Sequence, residues 1–201
     1  MKNKGFTLIE ILVSVAIFSV VMVIALGALL AMSTADRKAE SIKSVVDNLN
    51  FAIDSMSRAI RTGSNYNCNT SGGGNCLSGG TTLYFTPAGG GYAAYRLENT
   101  TNDASAGTVC NQTGTIGCIA RSTSTSTDGI NWSSWSAITA PEVVITNLNN
   151  ILFYVRGSQA GSADSMQPIV TITLAGYAQV STTEQSQFDV QTSVTQRIYD
   201  Q

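Results

Sequence analysis

The sequence predicts an α+β chain: a long N-terminal helix, hydrophobic in its first half and amphipathic in its second, packed on an antiparallel β-sheet domain. Three observations predict it. From Ile11 to Met32 there is no charge, a run of about 22 residues that spans ~33 Å as a helix and so reaches across a ~30 Å hydrocarbon core. Ile42, Val45, Val46, Leu49, Ile53, Met56 and Ile60 then recur at the spacing of one helical face. The remainder is rich in Ser, Thr, Asn and Gly, and its apolar residues alternate with polar ones, the period of a strand with one buried face.

Composition narrows the function classes. The chain has 201 residues, 12% of them charged, with a net charge of −2 and no His. Residues 64–201 suffice for one domain with a real core, not two. No basic patch is dense enough to suggest nucleic acid. The absence of His removes the usual general base and a common metal ligand. The triplets Gly72-Gly73-Gly74 and Gly89-Gly90-Gly91 are not followed by Lys-Ser/Thr, so neither reads as a phosphate loop. Nothing matches an EF-hand loop, and a calcium site built from loop carbonyls has no readable position. No catalytic residue, metal ligand or cofactor is read, and the chain is not read as an enzyme. Asn69, Asn99, Asn111 and Asn131 each open an Asn-x-Ser/Thr triplet, which in so Ser/Thr-rich a chain reads as polar surface loop.

The N-terminal segment carries the chemistry. It begins Lys4-Gly5-Phe6-Thr7-Leu8-Ile9-Glu10. A charge inside a spanning helix costs about 2.5–3.5 kcal/mol, so Glu10 is a burden for a plain anchor. A secretory signal has a shorter apolar core followed by a small-residue cleavage site. Here the core is longer and the small residue, Gly5, precedes it. Cleavage after Gly5 would leave the helix on the mature chain, headed by the new amino group of Phe6. Glu10 would then lie one turn from a positive terminus, placed to pair with that of a neighbouring helix.

That heptapeptide resembles the class III signal of type IV pilin-like proteins. In that family a prepilin peptidase cuts after the Gly and methylates the following Phe. The resemblance implies cleavage between Gly5 and Phe6, N-methylation of Phe6 and an intersubunit contact at Glu10. It also implies a pilin fold, in which the amphipathic half of the helix packs on a sheet. Expected partners are other pilins or pseudopilins through the N-terminal helix, the prepilin peptidase, the inner-membrane assembly platform and the membrane. Expected localisation is the bacterial inner membrane, single-pass, with the C-terminal domain outside the cytoplasm, followed by incorporation into a filament.

Four segments follow: a leader at 1–5, a hydrophobic transmembrane or filament-core helix at 6–35, an amphipathic half at 36–62 and a β-rich domain at 63–201. No Pro interrupts Met1 to Arg61, so one helix is expected from about Phe6 to Arg61, ended by Thr62-Gly63-Ser64 with Gly63 past its C-terminus. Gly27 reads as a tolerated small residue or a kink. Residues 64–81 read as a Gly/Asn/Ser loop. Thr82–Thr86 and Tyr92–Leu97 read as a hairpin across Pro87–Gly91, and Glu98–Gly107 as polar loop. Thr115–Arg121 reads as a strand. Residues 122–137 read as a loop with an Asp128-Gly129 turn and two aromatics, Trp132 and Trp135, that either cap the sheet or form a contact surface. Glu142–Thr146, Ile151–Arg156, Pro168–Val180 and Phe188–Tyr199 complete the strands. The closing Phe188–Arg197 run resembles the last strand of PilW-type minor pilins and J-type minor pseudopilins, as do Asn147-Leu148 and Tyr95-Arg96-Leu97.

Cys68 with Cys76 and Cys110 with Cys118 have identical spacing. Four cysteines allow three connectivities. Local pairing is preferred, because every member is flanked by loop residues. A zinc site is disfavoured by the spacing and by the lack of His. The function the resemblance implies is a minor pilin or pseudopilin, a structural subunit that primes or caps a type IV pilus or type II secretion pseudopilus. The alternative is a filament-tip or membrane-tethered adhesin, with the Trp132/Trp135 loop as its contact surface.

Overall fold

The computed structural model describes residues 5–68, 74–99, 106–112, 115–124, 132, 134–147, 152–158, 166–179 and 185–197. Residues 1–4 of the leader, Gly72, Gly73, the Asp128-Gly129 turn, Asn69 and Asn131 lie outside the described residues. The chain divides into two compact units, Met1–Ser41 and Ile42–Gln201. Both take part in one helix, α1, Leu8–Arg61.

In the first unit α1 starts with a cap that the sequence encodes. The Thr7 carbonyl accepts from the Glu10 and Ile11 N–H groups at 3.1 and 3.3 Å, and the Thr7 hydroxyl lies 3.4 Å from the Glu10 nitrogen. Thr7-x-x-Glu10 has the capping-box spacing, and the carboxylate sits in the first turn, where the helix dipole favours an anion. Ser14, Ser19 and Thr34 turn their hydroxyls back onto the carbonyls of Glu10, Ala16 and Ala31, so their polarity is satisfied within the helix. The helix runs unbroken through Gly27.

In the second unit α1 buries Val45, Leu49, Ala52, Met56 and Ile60, steps of 4, 3, 4 and 4 along one face. This face differs from the sequence reading in one respect. Ala52 is fully buried, while Val46 is 47% exposed. At its C-terminal end the Gly63 N–H donates to the Ile60 carbonyl at 3.0 Å. The Tyr66 hydroxyl lies 2.6 Å from both the Ile60 and Gly63 carbonyls. Gly63 is needed for space: a Cβ there would lie 2.6 Å from the Phe85 ring. The left-handed residue that turns the chain is Asn65, at φ 54°.

Two five-stranded antiparallel sheets follow. The strands are β1 (Ser64–Asn67), β2 (Cys76–Gly80), β3 (Thr82–Thr86), β4 (Tyr92–Asn99), β5 (Gly117–Ser124), β6 (Ser136–Ala137), β7 (Val143–Ile145), β8 (Phe153–Arg156), β9 (Ile169–Gln179) and β10 (Gln185–Thr195). The first sheet has the order β1-β3-β4-β5-β6; the second has β10-β9-β8-β2, with β7 also paired to β9. The chain changes sheet between β2 and β3. There the Gly80 carbonyl accepts from Leu152 and the Thr81 carbonyl from Leu97, both at 3.0 Å. β7 runs against β5 so closely that a Cβ on Gly117 would lie 2.0 Å from the Ile145 carbonyl oxygen. Phe85 stacks on Tyr66 and Tyr95 in a core that also holds Leu49, Met56, Ile60, Ile172 and Leu174.

The antiparallel sheet and the long helix match the expected α+β class; several loops do not match. Residues 64–81 contain β1 and β2, because pairing with β3 and β8 overrides the weak strand propensity of Asn, Ser and Gly. Glu98 and Asn99 extend β4 along β5. A short helix, α2 (Ala106–Cys110), stands at the end of the stretch read as polar loop. β10 begins at Gln185, ahead of Phe188, since its ladder with β9 continues to Gln179.

Candidate functional site: the N-terminal helix

Gly5 and Phe6 precede α1 in irregular, exposed backbone, and Phe6 is 78% exposed. A Cβ on Gly5 would meet nothing within 4 Å. The chain's own packing therefore sets no requirement for glycine at position 5. Glu10 lies three residues into α1, in its exposed first turn. From Leu8 to Met32 every large apolar side chain is exposed, and a window of this helix has mean hydropathy 2.8. By length and composition it can cross a membrane.

The four cysteines form two bonds, Cys68–Cys76 and Cys110–Cys118, with Cα–Cα distances of 5.9 and 5.6 Å. Their positions give them different work. The first joins the end of β1 to the start of β2, and so ties one sheet to the other. The second fastens α2 to β5. Beside it Gln112 acts as a polar hub. Its amide donates to the Pro141 and Val143 carbonyls at 3.0 and 2.8 Å, and its carbonyl accepts from the Gly117 N–H at 2.9 Å. Near this hub is a polar cleft of ≈ 280 Å³ that includes Asn111, Thr115, Glu142 and Gln179. Among the described residues no group of three His, Cys, Asp or Glu gathers as a metal site.

Trp132 and Trp135 are half-buried. Trp132 lies 5.4 Å from the Tyr84 ring and 6.0 Å from Trp135, and the Arg96 guanidinium sits 4.0 Å from the Trp135 centroid. Arg96 in turn pairs with Glu98, whose side chain is fully buried. Trp135 thus lies over the Arg96 end of an ion pair whose Glu98 end is buried, Trp132 packs between Tyr84 and Trp135, and both rings are engaged within the chain. Two tyrosines of the core have their phenol pKa raised above 10.0 by burial: Tyr66, and Tyr95, where the Arg121 charge opposes the shift.

Sequence reasoning missed Gln112 and the pairing of Arg96 with Glu98, reading Arg96 only within the Tyr95-Arg96-Leu97 run and Glu98 only as loop. Glu98 was legible in principle, as a charge two residues from Arg96 on one face of a strand. Gln112 carries no sequence signal, since its partners are backbone groups up to 31 residues away.

Together these features define a helix-anchored α+β chain: an unburied, membrane-length apolar helix and a disulfide-bonded double-sheet unit. Residues 1–32 match the family described as the prokaryotic N-terminal methylation motif. The chain thus carries a prepilin-type motif, which supports a type IV pilin-like protein. Neither a curated protein nor a solved structure matches the chain. The prepilin-type signal and the apolar helix fit inner-membrane anchoring.

Proposed function

We propose that this chain is a minor pilin or pseudopilin, a non-enzymatic subunit that primes or caps a type IV pilus or type II secretion pseudopilus. The observation that carries the reading is the methylation motif at residues 1–32 running into a helix with no buried residue before Val45. A helix so apolar has to be covered by lipid or by other chains, and a filament core offers both in succession. In this reading the precursor inserts with Lys2 and Lys4 on the cytoplasmic side, following the positive-inside rule. The domain lies outside, where disulfides persist. The peptidase cuts between Gly5 and Phe6 and methylates Phe6. Glu10 then offsets the N-terminal charge of an adjacent subunit. The Phe188–Arg197 run, most of it in β10, resembles the closing run of PilW-type and J-type subunits and supports the minor role. The engaged state of Trp132 and Trp135 favours the cap over the adhesin surface.

Intact-mass spectrometry of the chain from its native membrane tests this. The mature protein is expected to begin at N-methylated Phe6, and Gly5→Arg to leave the full precursor. Glu10→Ala is expected to be processed normally but to co-purify poorly with its pilin partners. A mature chain beginning at any other residue overturns the class assignment. Recovery of the chain as the bulk of a filament overturns the minor role.

A further inference from the structure

The polar cleft beside Gln112 has a fixed floor and open walls. Gln112 is buried and held by three hydrogen bonds to backbone groups, and Val144, also buried, adds an apolar patch. Asn111 and Thr115 come from the connection between α2 and β5, Glu142 and Gln179 from the ends of β7 and β9, and all four are exposed. Their backbone is well anchored. Asn111 follows the disulfide-bonded Cys110 in the left-handed region, at φ 51°. The Val143↔Ala178 register sets Glu142 opposite Gln179, and the Gln179 N–H donates to the Glu142 carbonyl at 2.9 Å. Yet the side chains of Asn111, Thr115, Glu142 and Gln179 make no hydrogen bond or ion pair among the described residues. Among the residues that line the cleft, the Glu142 carboxylate is the one charge, and there is no Lys or Arg.

We propose that this cleft takes the guanidinium group of an arginine side chain presented by a partner protein. Its volume, ≈ 280 Å³, falls just below the range of about 300–1,000 Å³ of small-molecule sites, which suits a single side chain. The carboxylate selects a cation. A neutral ligand would strip water from Glu142 without supplying an opposite charge, and an anion would be repelled. The acceptors select a guanidinium. Glu142 offers two oxygens and Asn111, Gln179 and Thr115 one each, against the five N–H donors of a guanidinium, which has no acceptor. An ammonium has three donors and is more strongly hydrated, whereas the weakly hydrated plane of a guanidinium tolerates contact with Val144. Calcium takes six to eight oxygen ligands, with carboxylates prominent among them, and the cleft has one carboxylate. The proposal stands without the pilin reading.

The probe is N-acetyl-arginine N-methylamide, which presents the side chain as a residue within a chain does. It is titrated into the isotope-labelled full chain in detergent micelles and followed by amide NMR. The probe is expected to shift the Gln112, Thr115, Val144 and Gln179 amides and to saturate. The blocked citrulline analogue, similar in shape but without the charge, is expected to leave them in place. Glu142→Gln is expected to weaken binding roughly 5–10-fold. Gln179→Lys, which sets a cation opposite Glu142, is expected to abolish it. Both positions are exposed, and unchanged spectra away from the cleft show that each variant keeps the fold. Equal binding of the citrulline analogue overturns the proposal, as does binding that Glu142→Gln leaves unchanged. So does a cleft that responds to calcium ion but not to the probe, or to free arginine but not to the blocked form. Amides that stay in place at every probe concentration overturn it as well.

Discussion

Residues 8–41 and residues 42–201 share one helix, yet they solve opposite problems. From Leu8 to Met32 the apolar side chains are exposed, from 45% at Met22 to 81% at Leu8. From Val45 onward α1 buries one face in a core built from two sheets. The difference is one of pattern. The first segment is apolar all round, so no single face can be hidden by one domain. The second concentrates its apolar residues on one stripe, with Asp54 and Arg58 paired on the exposed side. Burial within the chain stabilises the second unit by itself. The first unit's apolar surface has to be covered from outside the chain.

The sharpest way to break this comparison is to truncate one apolar side chain in each segment. Met56 is fully buried, and Met56→Ala is expected to destabilise the second unit by about 2–5 kcal/mol. Leu30 is exposed, and Leu30→Ala is expected to change the same unfolding free energy by less than about 0.5 kcal/mol. Denaturant unfolding in micelles, followed by tryptophan fluorescence, measures both. Equal losses would show that the two segments are not distinct. The next largest effect is expected from the disulfides. Replacing Cys110 and Cys118 with Ala opens a loop of sequence separation 8 and should cost ~2–3 kcal/mol in the same assay.

A smaller loss than that of the core or the disulfide is expected at the end of α1. Tyr66→Phe removes a hydroxyl that lies 2.6 Å from the Ile60 and Gly63 carbonyls, and should cost about 1–3 kcal/mol. Its pH dependence has a definite sign. Burial raises the Tyr66 pKa above 10.0, so above that pH the unfolded chain releases its phenol proton first. The unfolded state then binds fewer protons than the native state, and stability falls as pH rises. Stability contributed by Tyr66 is fully present below pH 10.0 and lost above it. The native chain should therefore lose stability above pH 10 more steeply than Tyr66→Phe, which denaturant midpoints between about pH 8 and 11 would measure.

Much of the fold was legible because the signals were periodic. The helix was readable from Ile11 to Ile60, and β9 and β10 from Ile169-Thr171-Thr173 and Phe188-Val190-Thr192. The parts that were not legible depend on partners distant in sequence. β1 and β2 are poor strand formers that pair only because β3 and β8 are there to receive them. Gly63 looks like a helix stop, yet its place is dictated by the Phe85 ring. Gln112 looks like a loop residue, yet it links α2 to β5 and β7. Of the candidate site, the motif from Gly5 to Glu10 was wholly legible, since it is contiguous and stands outside the packed core.

By itself the sequence determined the motif, the apolar run and the period of each long element, because all three are local properties of the chain. Only the tertiary structure decided that the β-rich part divides into two sheets. It alone placed Cys68–Cys76 across them, set Trp135 over the Arg96 of an Arg96–Glu98 pair and, among the described residues, left β10 without a strand on its outer side. The physical reason is the same each time. Strand order, register and sheet membership are settled by contacts between residues far apart in sequence, where hydrogen bonds and apolar area are gained only once the chain has closed on itself.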